Sequence, residues 1–332
     1  SVMTPAIEAF EKYMPRNVNV INWHWLFGPS VKPQGQLTAL VNYRSTPFAY
    51  QRTRETFESV GTRIVELSSY QEHDKITADT QAVTQVGFQA MGTTWKNMGD
   101  FPWEDPTYVG GIDNVKVLMC LRIYNGKPHV YAGLAIHNSY AREQIRHYSK
   151  SVSDLFSLMI QENEGQLRER VSAARDFIFR NGKSPILLDN RVMGEFSLGT
   201  IPPDRRRPNS HLSLLAMADA WYQSGVNPYN NRICETPPFK LRLGIVEYLF
   251  RDAGLLEESI KTALTDKSIR RDDLEFHTAV REWATIIGNG DVSGYYRQFA
   301  DTRAFFQGRL EEGMKISGEL IRRLSETPIN GS

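Results

Sequence analysis

The segment Trp23-His24-Trp25-Leu26-Phe27-Gly28-Pro29 holds the residue best suited to proton chemistry. His24 follows a β-type run, Val18-Asn19-Val20-Ile21-Asn22, and a Gly-Pro turn comes soon after it. A strand that ends in His and then turns sets an imidazole at the carboxyl edge of a sheet, where open α/β sheets bind ligands. Imidazole is also the side chain most readily tuned to exchange a proton near neutral pH. The plain alternative is a half-buried His that caps a strand. A second charge of interest is Arg122, in the latter half of the apolar helix expected over Val115 to Tyr124. Its plain alternative is a snorkelling side chain with its head in solvent. A third cluster, Glu72-His73-Asp74-Lys75, opens a long helical pattern. Adjacent helix residues point in different directions and no second cluster completes a metal site, so helix-start polarity is the better reading. Arg205-Arg206-Arg207 reads as a solvated loop rather than a phosphate grip. No Gly-x-Ser-x-Gly or Cys–His arrangement argues for covalent catalysis.

The elements that must position these residues change character along the chain. A helix is expected from Thr4, its cap, through Pro5, with Ile7, Phe10 and Met14 on one side. The strand Val18 to Trp23 follows, then a strand Leu37 to Tyr43, a helix Pro47 to Val60 stopped by Gly61, and a strand Thr62 to Leu67. This run is too small to close an α/β sheet and has no Gly-x-Gly-x-x-Gly. It reads as the carboxyl half of a nucleotide-binding α/β domain. From Tyr70 onward the pattern is helical: Gln71 to Met98, Val115 to Tyr124, a helix opened by Pro128, and an amphipathic stretch to about Arg180. Asn181 to Asn209 is rich in Gly, Pro and Arg, and the remainder is again helical.

The second helical block echoes the first. Ala90-Met91 through Trp95, Gly99, Pro102 and Trp103 align with Ala216-Met217 through Trp221, Gly225, Pro228 and Tyr229 at an offset of 216 − 90 = 126 residues. Such self-similarity points to duplication of one helical unit. Tyr248 stands opposite Arg122, so the second copy reads as one that has lost the charge. The expected division is 1–68 as the α/β half-domain, 69–185 as the first helical unit, 186–209 as a linker and 210–330 as the second, degenerate unit. The fold class is a partial Rossmann-like sheet followed by a large all-α domain.

The 332 residues are 41% hydrophobic and 23% charged, with net charge +1. That balance is ordinary for a soluble protein and offers no field for nucleic acid or an anionic membrane. Cys120 and Cys234 sit in apolar runs and read as reduced, buried thiols of a cytoplasmic protein. No stretch approaches the length of a membrane span.

Several segments together resemble the fungal-type prephenate dehydrogenases of tyrosine biosynthesis. They are Ser1-Val2, His24 with Phe27-Gly28-Pro29, Glu72-His73-Asp74 running on to Val83, and Leu121-Arg122-Ile123-Tyr124 through Leu134. The resemblance implies oxidative decarboxylation of prephenate with hydride transfer to NADP, with NAD as the alternative. It makes His24 the proton acceptor, Arg122 the partner of the ring carboxylate, and Ser1 a hydrogen-bonding group near His24 and the nicotinamide. Gly28 and Pro29 match the cofactor-side turn. Gln81 and Gln85 fall in the substrate pocket, with Gln85 where relatives often carry a second His and Met3 where a Lys is usual. Family members begin with a Rossmann half that bears the glycine-rich loop, so this chain by itself is expected to be inactive. No metal is expected. A monomer, with the second unit packed on the first as an internal partner, or a homodimer through the helical domain is expected. Two other classes stay open: an arogenate or hydroxy-acid dehydrogenase of the same architecture, and a helical binding fragment without chemistry.

Overall fold

A computed structural model describes residues 2–27, 32–179, 193, 195–199, 201–230 and 237–326. Ser1, Gly28, Pro29 and Cys234 lie outside the described residues, so nothing structural attaches to the expectations made for them. Three strands form one sheet in the order β1 (Val20–Trp25), β2 (Leu37–Arg44), β3 (Arg63–Leu67). β2 and β3 are parallel, joined by helix α2 (Pro47–Ser59), which Thr46 caps and Gly61 leaves at φ 85°. β1 runs antiparallel to β2, pairing His24 with Ala39 and Trp25 with Thr38.

This corrects the placement of His24 in two ways. The strand extends through Trp25, so His24 lies within it rather than in the turn after it. Because β1 is reversed, its carboxyl end sits beside the amino ends of β2 and β3, and the crevice rule for parallel strands does not apply to His24. The sheet packs a small core of Met3, Leu26, Ala39, Val41 and Leu67 against helices α1 (Thr4–Tyr13) and α3 (Tyr70–Met98). α1 departs from expectation at its start. Its N-cap is Met3 and not Thr4, no local side chain caps it, and Ile7 alone of its expected apolar face is buried.

The rest is helical: α4 (Gly111–Asn125), α5 (Pro128–His137), α6 (Ser139–Ile160), α7 (Glu164–Phe179), α8 (Leu212–Gln223), α9 (Pro237–Arg251), α10 (Ala253–Thr265), α11 (Arg270–Gly288), α12 (Val292–Phe305) and α13 (Leu310–Glu326). These helices share one continuous core from Ala78 to Leu320. α3 is its axis. From Thr77 to Trp95 nearly every residue is buried, including glycines that admit close neighbours: a Cβ at Gly92 would meet Tyr124 at 2.4 Å and Cys120 at 2.7 Å. α8 packs on α6 and α7, α11 on α3 and α6, and α13 on α4. α4 and α9 begin and end 126 residues apart, since 237 − 111 and 251 − 125 both equal 126. The stretch read as a linker is not free of the core. Asn209, Ser210 and His211 are buried, and Arg206 grips Glu258 with two prongs at 2.6 and 3.2 Å, so the basic run is pinned rather than merely solvated. Among the described residues no helix is long and apolar enough to cross a membrane.

Candidate functional site

The start of α3 is built by a reciprocal cap. Ser69 Oγ accepts the Glu72 amide at 3.1 Å, and Glu72 reaches back to the Ser68 amide at 2.7 Å. That holds Glu72 on the outside and turns the next two residues inward, where His73 and Asp74 are both buried. Asp74 collects four hydrogen bonds. Its Oδ1 accepts the Met3 amide at 2.7 Å and pairs with His73 Nδ1 at 2.8 Å. Its Oδ2 accepts the Thr4 amide at 2.9 Å and the Thr4 hydroxyl at 2.6 Å. The carboxylate is thus the missing cap of α1, placed at the positive end of that helix. Burial alone would raise its pKa; the bonds from His73, Thr4 and Met3 outweigh burial and leave it below the ordinary carboxylate value. From the far side, Asn138 donates to the Asp74 carbonyl at 2.7 Å, tying α6 to the same turn.

His73 Nε2 meets His24 Nδ1 at 2.9 Å. His24, His73 and Asp74 therefore form one hydrogen-bonded chain from the edge strand to the axial helix. Its tautomers follow from its anchored end. A carboxylate accepts, so His73 carries its hydrogen on Nδ1 and presents a bare Nε2. His24 then donates from Nδ1, which puts its own lone pair on Nε2. Burial first, with the positive field of neighbouring groups, depresses the His24 pKa from 6.5 to about 2, against an upward pull from Asp74. The ring is neutral and able to take a proton across the physiological range.

A second group lies further along α3. His73 and Gln85 are twelve residues apart, about 18 Å of helix rise. α5 runs beside them, touching Asp74 through Asn138 at one end and Gln85 through Tyr131 at the other. Gln85 is buried and donates to the Tyr131 carbonyl at 3.0 Å and the Tyr295 hydroxyl at 3.2 Å, so its amide brackets α3, α5 and α12 together. Gln81 is one turn earlier and half-buried. Arg122 is half-buried in the last turn of α4, with only the neutral Ser317 hydroxyl at 3.4 Å and Met314 sulfur at 4.0 Å as contacts. Burial lowers its pKa, and the Tyr131 phenol pulls the other way.

Residues 82–326 match the profile of the 6-phosphogluconate dehydrogenase C-terminal domain. The sequence is 42% identical to the prephenate dehydrogenase (NADP+) of Saccharomyces cerevisiae, across 98% of this chain and 73% of that protein. It is 39% identical to the probable prephenate dehydrogenase (NADP+) of Schizosaccharomyces pombe, across 98% of this chain and 76% of that one. The chain belongs to the fungal-type prephenate dehydrogenases. No solved structure matches it.

Within this family frame, reading the residues alone missed His73 and Asp74. The rule that neighbouring helix residues diverge hid them, because His73 and Asp74 bond each other at adjacent positions in the first turn. The available signal was three polar, titratable residues in a row, Glu72-His73-Asp74, of which the helix start needs only the first. Arg242 on α9 was also missed; it is considered below. For the cofactor, the described residues fit at the reacting end, where His24 is a neutral acceptor on an exposed strand edge. Among them no glycine-rich turn stands before a helix of the sheet to take a pyrophosphate.

Proposed function

We propose that this chain carries the substrate-binding and proton-accepting parts of an NADP-dependent prephenate dehydrogenase, a soluble cytoplasmic enzyme of tyrosine biosynthesis. The observation that carries the reading is the chain His24–His73–Asp74, a neutral base held by an anchored carboxylate. NADP, when bound, supplies the acceptor for the hydride that leaves the ring carbon bearing the hydroxyl. His24 Nε2 takes the proton of that hydroxyl as the carbon–oxygen double bond forms. The positive charge that develops on His24 is stabilised through His73 by Asp74, whose attraction favours protonated His24. As the ring carboxylate leaves as carbon dioxide, its bonding pair enters the ring, which becomes aromatic. Arg122 holds that carboxylate until it departs, in a half-buried site where a two-pronged ion pair is strong.

Ser1, Gly28 and Pro29 are proposed on the cofactor side by resemblance alone. Gln85 and Gln81 shape the pocket wall, Gln85 by fixing Tyr131 and Tyr295. The packing of α8, α11 and α13 on α3, α4, α6 and α7 supports a second helical unit that serves the first as an internal partner. A monomer by sedimentation is expected; a tight dimer built across the first units would overturn that part.

The test is prephenate-dependent NADP reduction by the full-length protein beside His24→Asn. Activity that collapses while the melting temperature holds supports the assignment. Full activity in the variant, or turnover of arogenate and not prephenate by the unsubstituted protein, overturns it.

A further inference from the structure

α9 packs against α4, and it brings Arg242 to the group around Arg122. The Tyr131 phenol lies within electrostatic reach of both guanidinium groups, and Arg242 feels Arg122 as a like charge. Among the described residues neither arginine has a carboxylate partner. Arg122 touches only Ser317 and Met314, and the Nε of Arg242 is buried with no hydrogen-bond partner. Two guanidinium groups turned toward one phenol, with buried N–H donors left over, form an arrangement that repels itself in the absence of an anion. Arginine elsewhere in this chain is treated differently: Arg170 is fully engaged by Asp219 at 2.7 and 2.8 Å, and Arg206 by Glu258.

We propose that Arg242, supplied by the second helical unit, binds a second carboxylate of the substrate, so that Arg122 and Arg242 together hold a dicarboxylate across Tyr131. This rests on the prephenate reading, in which the substrate carries a ring carboxylate and a pyruvyl carboxylate. With Arg122 on the ring carboxylate, Arg242 takes the pyruvyl one. The second unit then contributes to the site directly, from a position on α9 that is not the repeat equivalent of Arg122. Its arginine stands at 242, six residues before Tyr248.

The two arginines are separable because the product, 4-hydroxyphenylpyruvate, keeps the pyruvyl carboxylate and lacks the ring one. Calorimetric binding of prephenate and of 4-hydroxyphenylpyruvate to the full-length protein, without NADP, reads each arginine in turn. Arg242→Gln is expected to weaken both ligands roughly 10- to 100-fold, the size of one lost charge-assisted bond. Arg122→Gln is expected to weaken prephenate by a similar factor and the product much less. Unchanged prephenate affinity in a folded Arg242→Gln protein overturns the proposal, and so does weakening confined to prephenate. Where Arg242→Gln fails to fold, Arg242→Lys decides: it keeps the charge and loses the fork, and affinity equal to the unsubstituted protein for both ligands overturns the proposal. Failure of the unsubstituted protein to bind or turn over prephenate would instead sink the functional reading on which the proposal rests.

Discussion

Asp74→Asn isolates the anchored end of the hydrogen-bonded chain. The carboxylate accepts from Met3, Thr4 (twice) and His73 at 2.6 to 2.9 Å. An amide of the same shape has one oxygen and one NH2, so one side must face a donor. If the NH2 takes the Oδ2 place it opposes the Thr4 amide, and about 1.5–3 kcal/mol of charge-assisted bonding at the start of α1 is lost. If it takes the Oδ1 place, His73 must accept on Nδ1 and carry its hydrogen on Nε2. His24 then accepts at Nδ1 and holds its hydrogen on Nε2, where it cannot take the substrate proton. Either orientation removes the negative charge that favours protonated His24. The expected result is a fall in kcat of about 10²- to 10⁴-fold, the usual worth of general-base catalysis. KM should change little, because the substrate carboxylates are held elsewhere. The pH profile gives a second readout. The His24 pKa is already depressed, so the acid limb of kcat/KM for the unsubstituted protein lies below the ordinary imidazole value of 6.5. Losing Asp74 removes an upward influence, so that limb moves lower still while the plateau falls. Steady-state NADPH formation across pH, with a thermal melt at each pH, measures both. An unchanged plateau, or a limb that moves upward, would refute the tautomer argument.

Other outcomes follow from the same geometry. The Asp74 pKa is depressed on folding, so its stabilisation is complete above the unfolded value of 3.8 and is lost as pH falls through the lower folded value. Amide exchange in α1 should therefore speed up in that acid window before the helical core opens. Asp273 behaves oppositely: burial first, and then Asp272, raise it to about 7, against the Ser210 hydroxyl and Lys116. The folded state holds its proton between pH 4 and 7, so stability declines as pH rises through that range. Asp273→Asn should raise the melting temperature at pH 8 and flatten this decline; an unaltered pH dependence would contradict the assignment. Gly92→Ala sets a methyl 2.4 Å from Tyr124 and 2.7 Å from Cys120, with an expected loss of about 1–3 kcal/mol by urea titration.

Much of the local structure was legible in the chain. Thr46-Pro47 and Gly61 bound α2, Ser69 with Glu72 starts α3, and Pro128 opens α5 as expected, because caps and prolines act within one helical turn. The repeat at 126 residues was legible because identical residue types return at one spacing. Thr4 was misread as a cap, because the true acceptor for α1 is Asp74, 70 residues away. The basic run at Arg205–Arg207 was misread for a similar reason, since Glu258 lies 52 residues from Arg206.

What the sequence by itself determined is the inventory and the local grammar. A tunable imidazole stands at His24, a planar cation at Arg122, a sheet fragment precedes them or surrounds them, and two similar helical blocks follow. Only the tertiary structure decided how these meet. It reversed β1 against β2, joined His24 to His73 across 49 residues, and carried α9 with Arg242 onto α4. The physical reason is range. Periodicity and capping are satisfied within three or four residues, whereas the burial that turns His73 and Asp74 inward depends on a core assembled from the whole chain.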